Sequence, residues 1–451
     1  MATAGVPIAA ISTALQNAAI GVVRLSGEGA FEVAARVFRP LGGRPLPPPR
    51  QAALGHLFDQ QGDIDLVVLT CWAAPRSYTG EDMAEFSCHG GQVVLRTALR
   101  ALLRAGARPA GPGEFTKRAF LNGRLDLAES EAVIDLIMAE SEAAARAALS
   151  QSAGALSARV RDIRQILVDC DADIMAYVDF SNEGIAEADP AQLLHRMGEA
   201  AAQMDRLLAT CARGQILREG LRVAIIGRPN VGKSSLLNAL AGIERSIVTE
   251  LAGTTRDVVE HPLTIGGLLI RLQDTAGLRA PGDRIESLGV AQSLRAAGEA
   301  DLLLCVFDGA QPLTPEDREV MALCAGREAV ALINKCDLPA AFDAAALEGV
   351  DTRLSVSAVT GEGLPALEAE LARRYRPQPQ ETLLTSLRHA EAIRAARAAL
   401  GAAIEAIAAG VEPDMAEIDL REAILQLGGI TGQDVTEDVL DSIFSRFCVG
   451  K

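Results

Sequence analysis

Two textures of apolar and polar positions alternate along the chain, and each predicts a different kind of element. In the first 120 residues, short apolar runs carry strand character, among them Ile20, Val22 and Val23 and then residues 66–69. Residues 92–103 carry helical spacing that ends at Gly106. This mixture predicts an α+β domain over 1–120, with PLPPPR at 45–50 as a linker-like loop. From about 125 to 217 Gly and Pro become rare and Ala and Leu dominate. Here Ile163, Ile166, Leu167, Cys170, Ile174, Tyr177 and Val178 recur at helical spacing and mark one buried stripe.

The texture changes again between about 219 and 374. Apolar runs at 222–226, 268–272, 302–307, 329–333 and 354–356 alternate with amphipathic helical stretches, which predicts a doubly wound, mostly parallel sheet. After RPQPQ at 376–380 the helical spacing returns, through Ile393, Leu400, Ile404 and Ile407, then Leu420, Ile424 and Leu427, then Leu440, Ile443 and Phe447. Each helical block has an apolar stripe that needs covering, so the two are expected to form one discontinuous domain, 121–218 with 375–451, around an inserted domain at 219–374.

Composition narrows the classes. A chain of 451 residues with 49% hydrophobic content is long enough for about three domains with ample core. No run of about 18 apolar residues is present, and the N-terminus MATAGVPIAAIS lacks the basic and apolar regions of a signal peptide, so a cytoplasmic location with no membrane association is expected. The eight cysteines form no CxxC pair and are expected to be thiols. A formal charge of −16 with 3% aromatic residues argues against broad attraction to polyanions and against a base-stacking platform. Any RNA partner then needs a local basic patch or a second protein.

The chemistry concentrates in the inserted domain. GRPNVGKS at 227–234 fits GxxxxGK[ST], and it follows an apolar run and opens a helical one. There the amides of Asn230, Val231, Gly232, Lys233, Ser234 and Ser235 can surround phosphate, Lys233 adds charge, and the Ser234 hydroxyl faces Mg²⁺. DTAG follows the 268–272 run, so Asp274 is placed for the magnesium shell and the Gly277 amide for a γ-phosphate. NKCD at 334–337 follows another run. Asp337 can accept from guanine N1 and the exocyclic amine, Asn334 can bond the base edge, and the Lys335 stem can lie along the ring. SVSA at 355–358 brings Ser357 and the Ala358 amide to the guanine oxygen. Four motifs in this order predict GTP binding and hydrolysis. GTTRD at 253–257 lies between the phosphate loop and Asp274 and supplies Thr254 and Thr255 as switch candidates, Thr255 toward Mg²⁺.

Leu278 occupies the position after DTAG where small signalling GTPases carry Gln, and it has no hydrogen-bonding atom to orient water. Asn230, with oxygens from Thr249 and Leu251, offers a monovalent-cation shell as one substitute. Glu286 is an acidic candidate for orienting water, although its pattern alone fits a solvated carboxylate at a helix start better.

Taken together, IGVVRLSG at 20–27, YTGEDMAEFSCHGG at 78–91, PGEFTKRAFLNGRLDLAESEAVIDLI at 112–137, the nucleotide motifs and the terminal FCVGK resemble the bacterial tRNA-modification GTPase family MnmE, also called TrmE, over essentially the whole chain. The resemblance implies a multi-domain α/β plus all-α protein: an N-terminal α+β, folate-binding and dimerising domain, a discontinuous helical domain and an inserted Ras-like P-loop GTPase domain. It further implies a K⁺ site at Asn230, Thr249, Leu251 and Thr254, a Mg²⁺ site at Ser234, Thr255 and Asp274, and catalytic roles for Lys233, Thr255, Gly277 and Glu286. A tetrahydrofolate site is implied at Arg24, Glu85, Arg124 and Lys451. The implied partners are a second copy of the chain, an FAD-dependent MnmG-type protein and tRNA, whose wobble uridine is modified at carbon 5. Two departures stand out: Arg124 lies where the family usually has Lys, and STALQNAAIG at 12–21 replaces a PxGxG loop. Cys448 reads either as a reactive thiol near the folate or as a buried one among Phe444, Phe447 and Val449. A ribosome-assembly GTPase would carry a second phosphate loop or a basic C-terminus, and this chain has neither. A folate- or nucleotide-sensing module is the reading from a different class.

Overall fold

The structure, a computed structural model, describes residues 6–180, 189–243, 261–273, 298–376, 381–411, 413–433 and 435–451. These fall into two compact units, Met1–Ile134 with Gln151–Arg196 and Ala402–Lys451, and Asp135–Ser150 with Met197–Gly401.

In the first unit, β1 (Ile8–Ile11), β2 (Ile20–Ser26), β3 (Phe38–Pro40), β4 (Ala52–Asp59), β5 (Gly62–Trp72), β6 (Met83–His89) and β7 (Arg108–Pro109) form one sheet in the order β3-β4-β5-β6-β2-β1-β7. Every neighbouring pair is antiparallel except β1 with β7. Strand alternation sorts the side chains onto two faces. Val23, Leu25, Leu69 and Phe86 join one core with residues of the helices Ala30–Val37 and Gln92–Arg104. The second helix comes so close that a Cβ on Gly21 would lie 2.5 Å from Leu95 Cδ1. On the other face Arg24 and Glu85 are register partners on β2 and β6, beside a smaller cluster of Ile8, Ala10, Ala110, Phe115 and Tyr78.

The same unit holds helical packing. Helix Ala155–Phe180 packs along helix Pro413–Thr431. The expected stripe residues Ile163, Leu167, Cys170 and Ile174 on the first, with Leu420 and Leu427 on the second, are buried, whereas Ile166 and Ile424 are half-buried. The side chains of Tyr177 and Val178 lie outside the described residues.

The second unit carries a six-stranded sheet of β8 (Leu221–Ile226), β9 (His261–Ile265), β10 (Leu268–Gln273), β11 (Leu302–Asp308), β12 (Ala329–Asn334) and β13 (Thr352–Ser355). Its order is β13-β12-β11-β8-β10-β9, parallel throughout except at β9. Strand β11 is buried at every position, as expected of a central parallel strand covered on both faces. The doubly wound reading therefore stands, with two differences. Strand β9 escaped the apolar pattern because its sequence HPLTI contains Pro262, which an edge strand tolerates. The last strand covers Thr352–Ser355 rather than 354–356, and the Val356 amide just beyond it still donates to the Ile333 carbonyl of β12. Among the described residues no helix is long and apolar enough to cross a membrane.

Candidate functional site

In open α/β sheets ligands bind beyond the carboxyl ends of the strands, and the predicted motifs gather there. Strand β8 runs into the loop Gly227–Gly232, which opens helix Lys233–Ile243. Two positions in that loop are left-handed, Asn230 with φ 66° and Gly232 with φ 98°. The Asn230 conformation costs on the order of 1 kcal/mol and needs outside support. At Gly232 a Cβ would sit 2.2 Å from Asn334 Nδ2, so the loop and the NKCD turn touch only because that residue is glycine. Lys233 Nζ donates to the carbonyls of Gly227 at 2.6 Å and Arg228 at 2.9 Å. Burial pushes the Lys233 ammonium below its ordinary range, so a phosphate oxygen meets a desolvated cation whose acceptors among the described residues are neutral carbonyls.

The NKCD turn braces this loop. Asn334 Nδ2 donates to the Val231 carbonyl at 2.7 Å, while its Oδ1 accepts from the Ala358 amide at 3.0 Å. Lys335, left-handed at φ 65°, donates to the Asn230 carbonyl at 3.2 Å and pairs with Asp308 at 2.6 Å. Both polar ends of Asn334, and the Ala358 amide read from sequence as a guanine contact, are thus engaged in tying three loops together. Asp337 stands exposed at the tip. The buried Ser357 hydroxyl accepts from the amides of Val359 and Thr360 and fixes the neighbouring loop. Ser234 and Ser235 are exposed on the first turn of the helix. The remaining expected nucleotide and ion residues, Thr249, Leu251, Thr254, Thr255, Asp274, Gly277 and Glu286, together with Leu278, lie outside the described residues.

A second constellation lies in the first unit. Arg24 Nε donates to Glu85 Oε1 at 2.8 Å, and the guanidinium lies 5.3 Å from the Tyr78 ring centroid and 5.5 Å from that of Phe115. Its Nη1 is buried and makes no hydrogen bond among the described residues. The C-terminal tail comes to the same place. Gly450, at φ 104°, passes so close to β1 that a Cβ would lie 2.3 Å from the Ile11 carbonyl oxygen, and the Lys451 carbonyl accepts from the Phe115 amide at 3.2 Å. The Lys451 ammonium is held below its usual range first by burial and then by Arg24, with Glu85 pulling the other way. Three of the four expected folate residues therefore converge. Arg124 is exposed and packs its stem over Gly80, two residues beyond Tyr78, with no described contact to the trio. Cys448 is exposed rather than buried, and its carbonyl accepts from Gly113 and Lys451.

Sequence reasoning missed several contributors. Asp308 ends the all-apolar strand β11 as its one carboxylate, a signal visible at the carboxyl end of a parallel strand. Tyr78 and Phe115 flank Arg24 from segments distant in sequence, and no spacing announces that.

Comparison with known proteins places the chain in a family. Residues 7–124 match the family described as GTP-binding protein TrmE N-terminus, and residues 127–448 match the MnmE helical domain. The tRNA modification GTPase MnmE of Symbiobacterium thermophilum (strain DSM 24528 / JCM 14929 / IAM 14863 / T) is 45% identical over 452 residues, spanning 98% of this chain and 99% of its own. The protein of the same description from Synechococcus sp. (strain JA-3-3Ab) is 44% identical over 450 residues, spanning 98% of each chain. That of Enterococcus faecalis (strain ATCC 700802 / V583) is 42% identical over 456 residues, again spanning 98% of each.

Proposed function

This chain belongs to the tRNA modification GTPase MnmE family and is a GTPase, and from that premise we propose that its GTP turnover is K⁺-activated and drives modification of tRNA. The target is carbon 5 of the wobble uridine, which gains a carboxymethylaminomethyl- or aminomethyl-type group. An FAD-dependent MnmG-type protein is the partner, and the working form is a homodimer in the cytoplasm. The acidic balance of the chain, −16, fits a division of labour in which that partner supplies most of the tRNA affinity.

The observation that carries the folate part is the group Arg24, Glu85 and Lys451. Two cations surround one carboxylate, and Arg24 Nη1 is buried with no acceptor among the described residues, so the site suits a ligand that brings both donors and acceptors. Glu85 suits the donor edge of a pterin ring, Arg24 and Lys451 beside it suit the acceptor atoms of that same ring, and Arg124 stands over Gly80. A tetrahydrofolate derivative bound there supplies the one-carbon unit. Deleting Gly450 and Lys451 is expected to weaken folate binding about tenfold, the loss of one charge-assisted contact, while GTP affinity stays unchanged. A calorimetric folate titration identical to that of the full chain would leave the tail a packing role only.

In the GTPase domain, read as 219–374, Lys233 and the amides of 230–235 hold the phosphates. Ser234, Thr255 and Asp274 are the residues to hold Mg²⁺, which when bound offsets the charge on the β- and γ-phosphates. Asn230, Thr249, Leu251 and Thr254 are the residues to hold K⁺, which supplies the positive charge that an arginine finger gives elsewhere. Glu286 orients the water that Leu278 cannot, and Gly277 contacts the γ-phosphate. The flanking parts are read as 1–120 for folate and dimerisation, and 121–218 with 375–451 for the helical domain. GTP turnover is expected to rise about tenfold or more when K⁺ replaces Na⁺, a fraction of what an arginine finger contributes. Equal rates in the two salts would remove the cation from the mechanism.

A further inference from the structure

Asn334 and Lys335 brace the phosphate loop at residues 230 and 231, and its other shoulder has a separate tether. Arg228 sends its side chain to the start of helix Pro315–Cys324, where Nε lies 3.2 Å from Asp317 Oδ2 and Nη2 donates to Gln311 Oε1 at 2.8 Å. Asp317 is the acid of that helix's capping box: its Oδ2 accepts from the Thr314 amide at 2.9 Å, and its own amide donates to Thr314 Oγ1 at 3.4 Å. The Asp317 side chain is 3% exposed and that of Arg228 15%, so the pair meets where an uncompensated charge is costly. Among the described residues neither Arg228 Nε nor Asp317 Oδ1 makes a hydrogen bond, so the pair is held by opposite charge at 3.2 Å, and Arg228 is the one ion-pair partner described for this carboxylate.

We propose that Arg228 is a positioning residue that latches the phosphate loop to the capped end of helix Pro315–Cys324. The Arg228 carbonyl is one of the two acceptors that hold the Lys233 ammonium, so a shift of residue 228 moves the phosphate-binding lysine with it. A loop with left-handed residues at 230 and 232 persists only while its surroundings over-determine it, and without the latch one side is released. The latch acts on the resting cradle, so its loss affects how long nucleotide stays bound more than the chemistry afterwards.

The test uses the full chain and three readings: dissociation of a fluorescent GDP by stopped flow, KM and kcat for GTP, and melting of the nucleotide-free protein. Arg228→Gln and Asp317→Asn, the second of which keeps the cap's acceptor, are each expected to raise the dissociation rate and KM about tenfold with kcat within about twofold. The double variant is expected to be no worse than Arg228→Gln, because that substitution already removes the contact that Asp317→Asn breaks. Arg228→Lys is expected to recover part of the loss, since it keeps charge without the fork. Lower melting with unchanged dissociation would make the pair a helix cap and nothing more, and additive losses would show that the two residues do not act on each other. Should Arg228→Gln not fold, Gln311→Ala decides, because Gln311 is exposed and its removal leaves the ion pair intact. A rise of about threefold in dissociation supports the latch, and no change overturns it.

Discussion

Lys233→Ala is expected to lower kcat/KM for GTP by about 10²–10³-fold, the usual loss when a preorganised charge is removed from a phosphoryl-transfer site. The ammonium is already desolvated, and its two acceptors are neutral carbonyls of the loop itself. An arriving phosphate therefore gains a cation whose burial cost has been met by folding. Alanine leaves the braces through Asn334 and Lys335 in place, so the variant is expected to keep its secondary structure and lose turnover. Phosphate release at saturating and subsaturating GTP, alongside circular dichroism, checks both parts. Turnover within tenfold of the parent would move the phosphate site elsewhere.

Asp337→Asn is expected to exchange guanine for xanthine preference. Two hydrogen bonds to a carboxylate contribute about 1.5–3 kcal/mol each when desolvated, so their loss lowers GTP turnover by roughly 10²–10⁴-fold. The asparagine amide brings a donor where xanthine, unlike guanine, presents a carbonyl, so XTP is expected to gain. The turn that carries the side chain is independent of its charge: the Cys336 amide donates to the Val356 carbonyl at 3.1 Å and the Leu338 amide to that of Lys335 at 3.0 Å. Competition between GTP and XTP for a fluorescent nucleotide measures the exchange, and a variant that still prefers GTP would take base selection away from Asp337.

The loop from 227 to 232 and its contact with NKCD follow from residue types that leave few choices: a glycine where Asn334 leaves no room for a Cβ, and a lysine whose ammonium reaches back to the carbonyls of Gly227 and Arg228. The strands around them were legible because parallel strands buried on both faces read as apolar runs, and β11 is such a run from Leu302 to Phe307. Long-range partners left no trace. Nothing in the spacing tells that Arg228 reaches Gln311, that Tyr78 and Phe115 flank Arg24, or that the final glycine and lysine fold back against Ile11 and Phe115. Asn334 shows the same limit from the other side. Its motif marked it as a base reader, and only the fold reveals that both ends of its amide hold neighbouring loops.

The wobble-nucleoside composition of tRNA, taken by mass spectrometry from cells that lack this chain and carry either the parent or Lys233→Ala, tests the coupling of GTP turnover to modification most directly. The expected result is a carbon-5 modified uridine with the parent and an unmodified one with the variant. Full modification supported by the variant, at a GTP turnover reduced as predicted, would contradict it.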